Sequence, residues 1–138
     1  QIGVPYTYMS DQALARPGTL DRFDVVLFPH VSGPSRTLLN GRPMTGPAIP
    51  WKKTARTPDL GGLDETDDMR PGMGLEGAAA LRRFIERGGV LVTEGATSVL
   101  PVDLGFNPSV NVTPARTLRA PGSVFRAQVV TAASPVLY

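Results

Sequence analysis

Four polar residues that follow two apolar runs are of types that can support chemistry. His30 and Ser32 follow the run at 24–29, and Glu94 and Thr97 follow the run at 90–93. Imidazole, hydroxyl and carboxylate groups can bind a small polar ligand, and a Ser–His pair can act as nucleophile and base. A spacing of two residues between Ser and His is not by itself a nucleophile–base signature. We therefore predict a ligand-contact edge without catalytic residues.

An acidic cluster lies in the middle of the chain. Five of the twelve acidic residues fall within residues 59–68. Clustered carboxylate oxygens suit calcium, but the spacing does not match an EF-hand loop, which needs acids at alternate positions and a terminal Glu. A solvated loop, or one paired with Arg70, Lys52 and Lys53, explains the cluster better. We predict no metal site.

Trp51 and Lys52 lie next to this cluster and form an aromatic-basic pair. Trp is enriched at protein interfaces, and we treat both residues, with Asp67, Asp68 and Arg70, as interface candidates. The alternative is that Trp51 folds back over the edge of its own sheet. The sequence leaves both interpretations open.

Composition excludes several classes of protein. The 138 residues can form one domain with a core, and the chain has no Cys, which excludes disulfides, thiolate metal sites and a Cys nucleophile. The net charge is only +2, and no basic run is present, so we predict no nucleic-acid partner. No apolar run approaches 18 residues, so we predict no membrane span.

The polar candidates must be positioned by the elements around them. Continuous apolar runs at 24–29 and 90–93 predict parallel strands covered on both faces, and helical spacing predicts a helix over 74–87. Further strands are predicted at 4–9, 109–113 and 123–130, with a short helical turn at 10–15. The order strand, helix, strand indicates an α/β domain that is flavodoxin-like and doubly wound, with a mostly parallel sheet.

Residues 34–72 form a long insertion in this domain, rich in Pro and Gly and without a period of 2 or 3.6. Loops of this length are usually functional or disordered. A flavodoxin-like sheet normally starts with a central strand and helix, which we expect upstream; the alternative is that this sheet is built differently. Residues 1–138 are therefore interpreted as one domain that is incomplete at both ends.

Several motifs resemble known families. The segments DVVLFP at 24–29, RFIERGG at 83–89 and VLVT at 90–93 resemble the class I glutamine amidotransferase-like domain. More specifically, the chain is similar to the C-terminal domain of large bacterial zinc carboxypeptidases, relatives of carboxypeptidase A. The segments that carry this similarity are IPWK at 49–52, TDDMRPGMGL at 66–75, PGSVFRA at 121–127 and SPVLY at 134–138.

The resemblance implies a secreted or periplasmic metallocarboxypeptidase whose upstream domain holds zinc and hydrolyses peptides. The zinc ligands of such peptidases are a His and a Glu close in sequence plus a distant His, whereas this chain has one His. An active amidotransferase has a Cys at the turn matching residues 93–96, and none is present. The expected role is a non-catalytic accessory domain without a cofactor, which packs on the upstream peptidase domain or positions its peptide substrate. One alternative is a small-ligand or carbohydrate-binding module at the edge near His30 and Glu94. Another alternative is an enzyme with an unrecognised carboxylate mechanism.

Overall fold

The protein is a mixed α/β structure in the computed structural model. The structure describes residues 3–113, 116–117, 122, 124, 126, 128–130 and 132–133. The elements in chain order are a 3₁₀ helix (Asp11–Ala15), β1 (Val25–Phe28), α1 (Ser35–Asn40), α2 (Gly74–Glu86), β2 (Val90–Thr93), a second 3₁₀ helix (Gly95–Val99) and α3 (Leu100–Asp103). Within those residues, none of the helices has the length and apolar character needed to cross a membrane.

Strands β1 and β2 form a parallel two-stranded sheet, as the apolar runs predict. Val25 lies opposite Val90, and Phe28 lies opposite Thr93. Phe28 is buried, and Val26 and Leu91 pack against the same apolar cluster. This face of the sheet is therefore the inner one.

The other face of the sheet corrects the prediction that both faces are covered. Val25, Leu27, Val90 and Val92 are between 42% and 62% exposed. Successive side chains in a strand point to opposite faces, so these four residues share one face. The core forms on the opposite side, because the apolar side chains of the helices join the cluster that contains Phe28.

Helix α2 supplies the centre of the core. Leu81 and Phe84 are fully buried, and Ala78 is buried one turn earlier. Met73, Leu14, Leu20 and Leu100 complete the buried cluster. Leu75, in the first turn of the same helix, is 74% exposed. The helix ends at Glu86, where Gly88 takes a positive φ of 97°.

Two predicted strands are wrong. Residues 4–9 form no strand with any described part of the chain, with Tyr6 and Tyr8 exposed, and residues 109–113 are not a strand either. A strand needs a neighbour to satisfy its backbone, and β1 and β2 pair only with each other among the described residues. The predicted turn at 10–15 is confirmed as the first 3₁₀ helix.

Part of the C-terminal prediction lies outside the described residues. The strand predicted at 123–130 includes residues 123, 125 and 127, which are not described, and the segment 134–138 lies wholly outside. The motif at 121–127 is described only at Gly122, Val124 and Arg126.

Residues 34–72, which the sequence pattern predicts to be an insertion, contain regular structure that this pattern missed. Helix α1 occupies its start, and Trp51 and Thr66 form an isolated antiparallel bridge. The two ends of the 34–72 segment lie close together, and the backbone N–H of Met73 donates to the carbonyl of Leu38 at 2.9 Å. The segment is therefore anchored to α1 and to the start of α2.

Candidate functional site

The carboxyl ends of β1 and β2 bring His30 and Ser32 to the start of the second 3₁₀ helix. The Nδ1 atom of His30 accepts the backbone N–H of Ala96 at 3.0 Å, and its Nε2 atom lies 3.2 Å from Oγ of Ser32. Gly95 makes this contact possible, since its φ is 59° and a Cβ there would lie 2.3 Å from Nδ1 of His30. The imidazole thus joins the loop after β1 to the turn after β2.

The direction of these hydrogen bonds decides what the Ser–His pair can do. Because Nδ1 of His30 accepts a hydrogen bond from the backbone N–H of Ala96, the proton of the neutral ring is on Nε2. Nε2 therefore donates to Ser32. A general base for Ser32 would instead have to accept its proton at that nitrogen. In this pair the imidazole donates and the Ser32 hydroxyl accepts, which is the reverse of the hydrogen bond between a nucleophile and its base.

Thr97 is buried at the same edge, and its hydroxyl is engaged with protein groups. Its Oγ1 atom lies 3.1 Å from the carbonyl oxygen of Pro29 and close to the carbonyl of Glu94, and it accepts the backbone N–H of Glu94 at 3.3 Å. The same backbone N–H also donates to the carbonyl of Phe28 at 3.1 Å. The hydroxyl of Thr97 therefore fastens the turn to the end of β1, whereas the side chain of Glu94 is exposed.

Arg70 and Asp68 form the centre of the 34–72 loop. Nε of Arg70 donates to Oδ1 and Oδ2 of Asp68 at 2.8 and 3.0 Å, and Nη1 donates to the carbonyl oxygens of Thr45 and Gly46 at 3.2 and 3.0 Å. Arg70 is only 6% exposed. Asp68 also accepts the backbone N–H of Ile49 at 3.2 Å.

The charge of Asp68 is stabilised by these donors. The hydrogen bonds from the Arg70 side chain are the main reason that the pKa of Asp68 lies well below its usual range, with backbone N–H groups adding to the effect. The same contact raises the pKa of Arg70. Asp68 and Arg70, both predicted interface residues, thus hold together separate segments of the loop.

Trp51 and Lys52 lie on the exposed side of this loop. Trp51 exchanges two backbone hydrogen bonds of 2.9 Å with Thr66, and its side chain is 44% exposed. Its backbone is therefore part of the loop and not of the edge of the β1–β2 sheet. Lys52 forms an ion pair with the exposed carboxylate of Asp67, which raises the pKa of Lys52.

Sequence reasoning missed Gln12, which connects the first 3₁₀ helix to the loop. Its Nε2 atom donates to the carbonyl oxygens of Asp68 and Pro71, both at 3.0 Å, and its Oε1 atom accepts the hydroxyl of Thr66 at 3.2 Å. No local pattern marks such a residue, because its partners lie more than 50 positions away.

A second feature that the sequence did not indicate is an open cleft of about 440 Å³ near the first 3₁₀ helix. Tyr8, Arg16, Arg22 and Asp64 are among its lining residues. Asp64 accepts the backbone N–H of Ser10 at 2.6 Å, and this hydrogen bond is the main cause of its lowered pKa. The cleft thus has one carboxylate already bound to the backbone.

Metal ligands do not cluster in the part of the chain that the structure describes: no group of three or more His, Cys, Asp or Glu residues is placed to hold an ion. Comparison of the chain with protein-family models, with curated proteins and with solved structures finds no match in any of the three.

Proposed function

We propose that the chain is a non-catalytic, amidotransferase-like accessory domain of a secreted or periplasmic zinc carboxypeptidase. The observation that carries the non-catalytic part is the polarity of the His30 hydrogen bonds. With Nδ1 occupied by the N–H of Ala96, the only imidazole of the chain is a donor towards Ser32 and cannot activate it. The peptidase part of the proposal is supported by the motifs at 49–52 and 66–75.

The finer fold is part of the same proposal. We infer a flavodoxin-like, doubly wound sheet to which β1 and β2 contribute two neighbouring strands. Parallel pairing across an intervening helix supports this inference, because that connection is the building unit of such sheets. Zinc belongs, in this proposal, to the upstream peptidase domain, since a single His does not supply the ligand set of that family.

The 34–72 loop is the proposed contact with the peptidase domain or its peptide substrate. Its interior is held by the buried Arg70, while Trp51 and the Lys52–Asp67 pair face solvent. An internally fixed loop presents its exposed Trp in one position, and this lowers the entropy cost of binding a partner. The exposed aromatic ring is the natural anchor of such a contact.

The alternative function, a small-ligand or carbohydrate-binding module, has less support. The hydroxyl of Thr97 and both ring nitrogens of His30 are engaged with protein groups, so they have little capacity for a ligand. His30, Ser32 and Glu94 are exposed at this edge, and of these Ser32 and Glu94 have the most polar capacity left for a ligand.

Hydrolysis of peptides that vary in their C-terminal residue tests the proposal. The assay compares the full-length polypeptide, this chain alone and the full-length polypeptide without it, all with added zinc. We expect the chain alone to be inert and its deletion to lower the activity of the parent. Hydrolysis by the chain alone would contradict the assignment.

The role of the loop is tested in the full-length polypeptide with Trp51→Ala. Leu63→Ala is the matched control, because Leu63 is a large apolar residue of the same loop that is 72% exposed. A higher KM with Trp51→Ala alone indicates substrate positioning, whereas a lower melting temperature with unchanged KM indicates domain packing. If both variants behave like wild type, the loop is not the contact.

A further inference from the structure

The open cleft near the first 3₁₀ helix lies between three parts of the chain that are distant in sequence. Its cavity of about 440 Å³ is lined by residues 7–9, by the turn at 16–19 with Arg22, and by Asp64. Small-molecule sites in proteins have volumes of about 300–1,000 Å³. The cleft therefore has the size of a small-molecule site, and none of the side chains used in the proposed function lines it.

Two arginines of the lining have no carboxylate partner. Arg16 and Arg22 are both exposed, and in the part of the chain that the structure describes neither guanidinium forms an ion pair or donates a hydrogen bond. The guanidinium of Arg22 lies over the ring of Phe23, with Cζ 5.0 Å from the ring centroid. This cation–π contact restricts the positions of the side chain. Each guanidinium has five N–H donors available for a ligand.

The carboxylate of Asp64 does not take up these donors, because backbone groups occupy both of its oxygens. Oδ2 accepts the backbone N–H of Ser10 at 2.6 Å, and Oδ1 accepts that of Glu65 at 2.9 Å. Arg16 is near enough for its charge to contribute to the lowered pKa of Asp64, but the two side chains form no ion pair. Two positive groups and one negative group leave the lining with one net positive charge.

The turn that carries Arg16 is held in place by hydrogen bonds. Oγ1 of Thr19 lies 2.8 Å from the carbonyl oxygen of Ala13 and 2.9 Å from that of Arg16. The backbone N–H of Arg16 also donates to the carbonyl of Ala13 at 3.1 Å, and Ala13 is buried. A binding site whose backbone is already fixed loses less entropy when a ligand binds.

The charge and the surface of the lining select one class of ligand. A guanidinium group binds a carboxylate through two parallel hydrogen bonds. One net positive charge matches the single negative charge of a carboxylate, whereas a phosphate monoester carries about −1.5 to −2 at neutral pH. Tyr8, which is 58% exposed, and Pro17 offer carbon surface beside the charged groups. Such surface suits an apolar or aromatic part of the same ligand.

We propose that this cleft binds a small organic monocarboxylate. Arg16 and Arg22 hold its carboxylate, and Tyr8 packs against its apolar part. The proposal does not depend on the proposed function, since it requires neither peptidase activity nor a contact of Trp51 with a partner.

A titration of the ¹⁵N-labelled chain with phenylacetate, followed by NMR at physiological ionic strength, tests this proposal. We expect saturable shifts of the amide signals of Gly18 and Thr19. The neutral analogue phenylacetamide has nearly the same shape, and we expect it to bind at least about tenfold more weakly. Phenyl phosphate is the third probe, and it separates a carboxylate site from a phosphate site.

Arg16→Gln and Arg22→Gln should each weaken the binding of phenylacetate at least about fivefold, because each removes charged donors from the site. Arg36→Gln is the matched control, since Arg36 is an exposed arginine of α1 that does not line the cleft. This variant loses the same charge and should bind phenylacetate like wild type. Melting temperatures of the three variants verify that each one is folded.

Several results would overturn the proposal. No saturation below about 10 mM phenylacetate would mean that the cleft is not a carboxylate site. Equal binding of phenylacetate and phenylacetamide would show that the carboxylate is not recognised, and tighter binding of phenyl phosphate would assign the cleft to phosphates. An equal loss in Arg36→Gln would reduce the effect to the overall charge of the chain. Peptide hydrolysis by the full-length polypeptide is a separate readout, so the proposed function and this site can fail independently.

Discussion

Among single residues, Arg70 contributes most to the order of the 34–72 loop. Its guanidinium group contacts the Asp68 carboxylate and two backbone carbonyls from a segment more than 20 residues earlier. A planar group with five fixed donors suits this task, because it can satisfy a carboxylate and two carbonyls together. Lys at this position would offer one nitrogen and could not reproduce the arrangement.

Replacement of Asp68 by Asn should lower stability at neutral pH and flatten its pH dependence. Because the folded-state pKa of Asp68 lies below its unfolded value, its contribution is present above about pH 4 and is lost as the pH falls further. We expect the difference between the unfolding midpoints of wild type and Asp68→Asn, measured by urea unfolding, to be largest at pH 7 and to become smaller as the pH is lowered from 4 towards 2.

Asp59→Asn is the control for this experiment, because it removes one negative charge from an exposed position of the same loop. A constant difference between wild type and Asp68→Asn from pH 7 to pH 2 would mean that the charge of Asp68 does not stabilise the fold.

At the level of elements, the 34–72 segment is fixed by a close backbone crossing between the end of α1 and the residues just before α2. A Cβ on Gly41 would lie 2.0 Å from the carbonyl oxygen of Arg70, and one on Gly72 would lie 2.3 Å from that of Leu38. The backbone N–H of Arg42 donates to the same Arg70 carbonyl at 2.7 Å. Only glycine permits this approach, so the crossing depends on both positions.

Gly41→Ala is expected to destabilise the protein more than Gly46→Ala does. Both glycines have a positive φ, of 74° and 78°, so both variants carry a similar backbone strain of about 1–2 kcal/mol. Only at Gly41 does the new methyl group also meet backbone atoms, whereas nothing lies within 4 Å of a Cβ on Gly46. Thermal unfolding of the two variants measures the difference. Equal melting temperatures would show that the backbone at the crossing can move apart without a loss of stability.

At the scale of the whole molecule, the core lies on one side of a narrow sheet. Helix α2 is central to it, with Leu81 and Phe84 fully buried, while the opposite face of the sheet is exposed. The first 3₁₀ helix adds Leu14, and α3 begins with the buried Leu100. The stability of the described part thus depends on one apolar cluster.

Leu81→Ala should cost about 2–5 kcal/mol of unfolding free energy, because it leaves a cavity in this cluster. Leu75→Ala on the same helix should cost less than about 0.5 kcal/mol, since Leu75 is 74% exposed. Chemical denaturation of both variants provides the comparison. If both variants lost a similar amount of unfolding free energy, Leu81 would not lie in the core of the protein.

The sequence by itself predicted the elements whose signals are local. Continuous apolar runs located β1 and β2, helical spacing located α2, and capping and turn residues located the first 3₁₀ helix. It also indicated that His30 and Glu94 follow strands whose carboxyl ends meet at one edge. These predictions depend only on neighbouring residues and on the parallel connection.

Only the tertiary structure decided which polar groups remain available and which segments pair. The tautomer of His30 depends on a backbone N–H 66 residues away, and the environment of Arg70 depends on carbonyls about 25 residues away. The segments 4–9 and 109–113 have strand-like sequences but find no partner strand among the residues that the structure describes, and hydrogen bonding between strands is not encoded by either segment alone. Contacts of this kind arise from chain segments that are distant in sequence, so no local pattern reports them.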